Sequence, residues 1–300
     1  MSLPAEVRAG VEAALAPRVR GDPTIADATA VGGGCISPVA RVRTVSGERF
    51  FLKWGGPGLP ADLLAAEARG LRQLAEARAV RVPDVVALDP SDPPRWLVLE
   101  WLEPGRPTTG SWQRLGRELA ALHRVRAERF GDDHDNYIGT LPQGNAPADD
   151  WAEFWISRRL EPQLRRARAV GLLDDDDRRG FDRLFERLPE ILDPAASEGA
   201  SRLHGDLWSG NVHMTADGAP ALIDPSVYHG HREVDVAMAQ LFGGFGRGFM
   251  DAYLEAWPLA PGYEPLRRAT YQLYYLLVHV NLFGAGYVSG TRRALREVIG

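Results

Sequence analysis

Apolar residues at helical spacing open the chain: Leu3, Val7, Val11, Ala14 and Leu15 predict a helix over 3–15, with Ser2 as N-cap and Pro4 in its first turn. The period then shortens to that of strands. Residues 28–31 run into Gly32, Gly33 and Gly34, and the strand pattern resumes at 39–43. Ser46-Gly47-Glu48 reads as a hairpin turn, and 49–54 continues as a strand with Lys53 among aromatic and aliphatic neighbours. An amphipathic helix over 61–74 carries Glu67, and two more strands, 85–88 and 95–102, flank a Pro/Asp turn. Glu103-Pro104-Gly105-Arg106-Pro107 ends this pattern, and helical spacing dominates afterwards. The boundary between two lobes is therefore expected near 100–105, giving an N-lobe of 1–102 and a C-lobe of 103–300.

In the second lobe, Ser111 is the expected cap of a helix over 112–124 whose Leu115, Leu119 and Leu122 face a core, with His123 structural. The polar stretch 130–150 is too long for a neutral connection. Helices are expected over 151–170 and 174–192. The four aspartates Asp174 to Asp177 are assigned to the dipole of the second of these helices, not to a metal. After the loop-rich region 202–225, the run from Tyr228 enters a helix that Leu241-Phe242-Gly243-Gly244-Phe245 breaks. Helices over 263–282 and 290–298 follow, with Tyr271, Tyr274 and Tyr275 as core residues.

At 300 residues, 45% hydrophobic and 25% charged, the chain can bury a core in each lobe. A net charge of −5 argues against nucleic acid or an anionic membrane as partner and suits a small, even cationic, substrate. The start has no signal-peptide pattern, and no stretch approaches the roughly 18 apolar residues of a membrane span, so a cytoplasmic protein is expected. Cys35 is the single cysteine, which excludes an internal disulfide and a multi-cysteine metal site.

The chemistry concentrates in Arg202-Leu203-His204-Gly205-Asp206-Leu207-Trp208-Ser209-Gly210-Asn211 and Ile223-Asp224-Pro225. Phosphoryl transfer needs a carboxylate beside the acceptor hydroxyl and oxygen ligands for Mg²⁺ on the nucleotide phosphates. Asp206, five residues before Asn211 and eighteen before Asp224, is placed for the first task, and Asn211 and Asp224 for the second. Each piece alone is also an ordinary turn. Their order carries the weight: a Gly-rich loop, then strand Lys53, helical Glu67, Asp206, Asn211 and Asp224. In that order Gly32, Gly33, Gly34 and Cys35 approach nucleotide phosphates, Lys53 binds phosphates while paired to Glu67, and the segment from Glu100 to Leu102 reads adenine. Asp235 is expected to accept N–H groups of the catalytic loop. Trp208 either stacks on a substrate or packs beneath the loop, and His204 is a second substrate candidate. His204, His213, His229 and His231 fit no compact zinc spacing.

On these residues, together with Gly230-His231-Arg232-Glu233-Val234-Asp235, Leu241-Phe242-Gly243-Gly244-Phe245, Asn136-Tyr137-Ile138-Gly139 and Gln143-Gly144-Asn145, the chain resembles the fructosamine/ketosamine-3-kinase family of aminoglycoside phosphotransferase-like kinases. The resemblance spans most of the chain. It implies a two-lobed protein-kinase-like fold of the α+β class, with a small antiparallel-sheet N-lobe and a larger, mainly helical C-lobe. It also implies ATP- and Mg²⁺-dependent phosphorylation of the 3-hydroxyl of ketosamines, the rearranged adducts of sugars and amines, which leads to deglycation. Phosphorylation of another small alcohol, such as an aminoglycoside or choline, and a silent nucleotide-binding protein are the alternatives. The expected partner is a small ketosamine or a glycated amine or protein, and the expected state a monomer or weak dimer. Cys35 is either a redox-sensitive thiol able to link two chains or a small residue that fits its loop.

Overall fold

The computed structural model describes residues 1–32 and 36–300. Helix α1, Ala5–Leu15, buries Val7, Val11 and Leu15; Pro4 occupies its N-cap position, so Ser2 does not cap it as expected. Strands β1 Ile25–Ala30, β2 Val39–Thr44, β3 Arg49–Trp54, β4 Val85–Leu88 and β5 Trp96–Glu100 form one antiparallel sheet in the order β1-β2-β3-β5-β4, and α2, Leu63–Ala77, joins β3 to β4. Alternation along β3 sets up the site: Phe51 and Lys53 share one face, while Leu52 is buried on the other with α1.

The C-terminal part begins with α3, Thr109–His123. Its cap is Thr108, whose hydroxyl accepts the Ser111 N–H at 3.1 Å while Ser111 accepts the Thr108 N–H in return. Ser111, the expected cap, is the far half of this capping box, because a hydroxyl at either end of such a box can bond the other's backbone. Strand β6, Arg126–Ala127, leads to the hairpin β7 Asn136–Ile138 and β8 Leu141–Gln143. A helical rod follows: α4 Trp151–Phe154, a π segment Trp155–Leu160 and α5 Glu161–Ala169. Helix α6, Asp175–Ala196, is entered through reciprocal bonds between Asp174 and Asp177 (2.9 and 3.0 Å), and Arg292 binds both carboxylates. The aspartate run is thus a helix start. Strands β9 Ala200–Leu203, β10 Val212–Met214, β11 Pro220–Leu222 and β12 Tyr228–Gly230 bracket the catalytic-type stretch, with β10 paired to β11 and β12-β9-β6 forming a small sheet. Helices α7 Glu233–Leu241, α8 Phe249–Ala256, α9 Arg268–Phe283 and α10 Val288–Ile299 complete the chain.

Three groups of buried side chains hold these layers. One joins α1 to the sheet through Val11, Leu15, Leu52 and Val98. Another fills the C-terminal part with Trp151, Trp155, Phe181, Tyr271 and Tyr275. The third crosses residue 102: Leu71 and Leu99 meet Leu119, Leu207, Leu222, Val236 and Tyr253. The connector is fastened too, since Gly105 N–H donates to Met214 C=O and Ala216 N–H to Glu103 C=O, both at 2.7 Å. Glu67 on α2 and the loop after β9 are therefore anchored to one continuous core. Among the described residues no helix is long and apolar enough to cross a membrane.

Candidate active site

A cleft of about 480 Å³ lies between the sheet and the helical part. Lys53 enters it from β3, Glu67 from α2, and Asp206, Asn211 and Asp224 from the opposite side. The Lys53 Nζ lies 2.6 Å from Glu67 Oε1 and 2.5 Å from Asp224 Oδ1. Burial works to strip the Lys53 proton, but the two carboxylates outweigh it and raise the ammonium's pKa, so the cation persists. Burial also pushes Glu67 above the usual carboxylate range, against the pull of Lys53. Of the 35 basic residues of the chain, Lys53 alone is lysine. A compact ammonium contacts both carboxylates as a point charge, which a planar guanidinium does not reproduce.

The loop from Gly205 to Asn211 is built from below. Asp235, at the start of α7 and fully buried, accepts the N–H groups of His204 at 2.7 Å and Gly205 at 2.9 Å. Tyr275 Oη donates to Gly205 C=O at 2.8 Å. His204 is buried beneath this loop, with Nε2 donating to Ile223 C=O at 2.9 Å and Nδ1 accepting the Asp206 N–H at 3.2 Å. Burial lowers its pKa, in keeping with this neutral form. His204 does not line the cleft; both ring nitrogens are spent on the backbone, so it supports the loop where a substrate contact was expected.

Asp206 faces the cleft. Burial, joined by the charges of Asp224 and Asp235 and opposed by the Asn211 amide, pushes its pKa up to about 7. Asn211 turns its Nδ2 to the Asp206 carbonyl (2.8 Å) and carboxylate (3.1 Å), which leaves its Oδ1 for another partner. Asp224 adopts φ 53°, a left-handed conformation that aspartate tolerates better than most residues. The twist follows β11 and aims the carboxylate back at Lys53.

A family model described as fructosamine kinase matches residues 11–300. The chain belongs to the fructosamine kinase family. It is 40% identical over 267 residues to a probable ketoamine kinase of Enterococcus faecium, covering 89% of this chain and 93% of the relative. It is 36% identical over 278 residues to the chloroplastic protein-ribulosamine 3-kinase of Arabidopsis thaliana, covering 90% and 81%. A solved Thermobifida fusca structure, provisionally named a fructosamine-3-kinase, superposes with a TM-score of 0.83 at 38% identity over 91% of this chain and 93% of that one. The fold is the two-lobed, protein-kinase-like one of this family.

The other expected positions divide. Gly32 lines the cleft, whereas Gly33, Gly34 and Cys35, with the redox expectation for Cys35, lie outside the described residues. Glu100 and Leu102 border the cleft, yet the Glu100 carboxylate is taken by Arg81 (2.7 Å) and the Asp84 N–H (3.3 Å), so its backbone is what remains to meet a ligand. Trp208 is 37% exposed and lines the cleft, and its indole packs over Gly210. Residues given no role from sequence also line it: Phe51, Trp101, Asn136, Tyr137 and Ser226. Tyr137 donates to Asp62 just ahead of α2, and Gln73 Nε2 donates to Asp132 at 3.0 Å, which ties the helix carrying Glu67 to the hairpin region. No local pattern signals such contacts, whose partners stand 75 and 59 positions apart.

Among the described residues no three His, Cys, Asp or Glu side chains are grouped to cage a metal. Magnesium needs no such cage: it takes one or two carboxylates and completes its shell with water and phosphate oxygens. Asp224 and the Oδ1 of Asn211 supply a donor set of that kind.

Proposed function

We propose that this protein transfers the γ-phosphoryl group of ATP to the 3-hydroxyl of a ketosamine, a fructosamine or ribulosamine adduct that is free or carried on a protein. The observation that carries this assignment is the convergence of Asp206 with the Lys53–Glu67–Asp224 cluster on one cleft in a chain of the fructosamine kinase family. Lys53 holds the nucleotide phosphates, and Glu67 fixes its ammonium. The backbone from Glu100 to Leu102 meets the adenine edge, and Gly32 lies on the side of the phosphates. Asp206 orients the sugar hydroxyl and takes its proton, a task for which a carboxylate pKa near neutrality is suited. Asn211 and Asp224 would hold Mg²⁺, which when bound offsets charge on the β- and γ-phosphoryl oxygens. Trp208 offers a face on which the sugar stacks. A phosphate at O3 sits on the carbon next to the C2 carbonyl: once a C1 proton is lost to give the enaminol, phosphate leaves from C3, and water hydrolyses the resulting imine and frees the amine.

ATP consumption measured against ribulosamines, fructosamines, aminoglycosides and choline tests the assignment. Turnover is expected with the ketosamines alone, and phosphorus NMR is expected to place the new ester on the sugar O3. Transfer to any other position, or turnover only with an aminoglycoside or choline, would overturn it.

A further inference from the structure

Asn136 lines the cleft, and nothing in the phosphoryl-transfer assignment uses it. It opens β7, directly opposite Gln143 on β8. Its hydrogen bonds fix which way the amide points. The Val227 carbonyl, 2.8 Å away, can only accept, so Nδ2 faces it; Oδ1 then accepts from Gln143 Nε2 at 2.7 Å, and Gln143 Oε1 is left to accept the Tyr274 hydroxyl at 2.5 Å. Gln143 and Tyr274 are buried, so the line is shielded from solvent behind Asn136.

A side-chain amide carries two N–H groups, and this line spends one of them. Among the described residues the second has no partner, and Asn136 itself is half-buried at the cleft wall. An amide locked from behind by buried partners is a prepared donor toward the cleft. It stands with Asp206. Val227 follows Ser226, whose N–H donates at 2.8 Å to the carbonyl of His204, two residues before Asp206. On α9, Tyr275 holds the Gly205 carbonyl while its neighbour Tyr274 holds the Gln143 end of the Asn136 line. One helix thus seats both the loop of Asp206 and the amide, and the amide belongs to the acceptor half of the cleft.

Building on the proposed ketosamine activity, we infer that Asn136 is a substrate-binding residue that gives its second N–H to the oxygen on C2 of the acceptor. That oxygen neighbours the 3-hydroxyl assigned to Asp206. It accepts a hydrogen bond both as the carbonyl of the open chain and as the hydroxyl of the ring form. Asp206 then addresses O3 while Asn136 fixes the carbon beside it, a hold that an acceptor without an oxygen at that carbon cannot use.

A cycle between the residue and the substrate atom tests this. The acceptors are adducted Nα-acetyl-lysine and its 2-deoxy analogue, which keeps the amine and the C3 hydroxyl but has hydrogen in place of the C2 oxygen. Wild type and Asn136→Ala are assayed with both, and nucleotide affinity is measured separately by calorimetry. Wild type is expected to favour the ketosamine by about tenfold in kcat/KM, the scale of one hydrogen bond. Asn136→Ala is expected to lose about tenfold on the ketosamine and to match wild type on the analogue, with nucleotide affinity unchanged. A residue that only braced the hairpin would lower both acceptors by the same factor, and that result overturns the inference. So does a wild type that treats the two acceptors alike. Asn136→Asp, which keeps an oxygen for Gln143 but has no second N–H, completes the cycle if the alanine variant does not fold: a vanished preference between the acceptors supports the contact, and a preserved one overturns it. Wild type inactive on the ketosamine removes the ketosamine reading and this inference with it, whereas activity with equal losses on both acceptors removes the inference alone.

Discussion

His123 Nε2 lies 3.1 Å from the Asp235 carboxylate, and both side chains are fully buried. The bond extends a line of contacts that starts at Arg232, whose guanidinium donates to Tyr253 Oη at 3.1 Å; that hydroxyl lies 2.9 Å from His123 Nδ1. Burial lowers the His123 pKa despite Asp235, so a neutral ring donating to the carboxylate and accepting from tyrosine satisfies every member. Asp235 is thus held from behind while it grips His204 and Gly205 ahead of Asp206.

His123→Phe keeps the volume but strands a buried carboxylate oxygen and a buried hydroxyl. Each unsatisfied group costs roughly 1–3 kcal/mol. The expected outcome is a lower melting temperature and, in the protein that remains folded, a fall in kcat larger than any change in the nucleotide KM. An unchanged melting temperature would show that His123 does not brace Asp235.

Asp206→Ala is expected to lower transfer by ~10²-fold to 10⁴-fold while leaving nucleotide binding nearly intact, since the proposed role of the carboxylate is toward the acceptor. With its carboxyl pushed up to about 7, the proposed base is half ionised near neutrality, so kcat/KM should rise through pH 7 to a plateau. Stability runs the other way. A carboxyl whose folded pKa is raised stabilises the fold fully below its unfolded pKa and loses that contribution as pH climbs toward the folded value. Asp206→Asn should therefore melt above wild type at pH 8, with the gap closing toward pH 4. A pH-independent difference in melting would remove the raised pKa.

Asp224→Ala is expected to fail differently. It removes the only carboxylate shared between Lys53 and the expected Mg²⁺ ligand set, leaving Lys53 with Glu67 alone. Calorimetry should show Mg²⁺-dependent nucleotide binding lost while binding without the metal is less affected. Unchanged affinity in the presence of Mg²⁺ would exclude Asp224 as a ligand.

Two glycines seat the loop against its neighbours. A Cβ at Gly210 would come 2.2 Å from the Trp208 ring, and one at Gly244, at φ +88°, would come 2.2 Å from Ser209 Oγ. Gly210→Ala should displace the indole and raise the acceptor KM, visible as altered tryptophan fluorescence. Gly244→Ala should add backbone strain and lower the melting temperature as well. If both variants match wild type in fluorescence and melting, the packing of this loop does not depend on bare backbone.

Most of the fold was legible because its apolar periods are long and uninterrupted, as along β3, α2 and α9. The line Lys53, Glu67, Asp206, Asn211, Asp224 was legible because order and residue type together express one chemistry. What was not legible depends on partners far apart in the chain. His204 beside Asp206 looks like a substrate contact until the Ile223 carbonyl is seen to occupy it. The cap of α3 is Thr108 and not the expected Ser111, because the hydroxyl at either end of the box bonds the other's backbone. Glu100 is drawn from the cleft by Arg81, nineteen positions away.

Sugars attack primary amines only in their unprotonated form, and the lysine side chain is the most abundant such amine on ordinary proteins. Here Lys53 is the sole lysine, and its ammonium is buried between Glu67 and Asp224 with its proton held more tightly than in water. The arginines that stand at every other basic position bear no primary amine. On the proposed activity, the chain would carry no sugar adduct on its side chains and would not compete with its own substrates. Prolonged incubation with ribose, followed by peptide mapping, should show no ribulosyl-lysine at Lys53 and no loss of activity traceable to it. An Arg165→Lys variant, which puts an amine on an exposed face of α5, should acquire an adduct there and release it on addition of ATP and Mg²⁺. Modification of Lys53 at a rate similar to Lys at position 165 would show that the buried ion pair gives no protection.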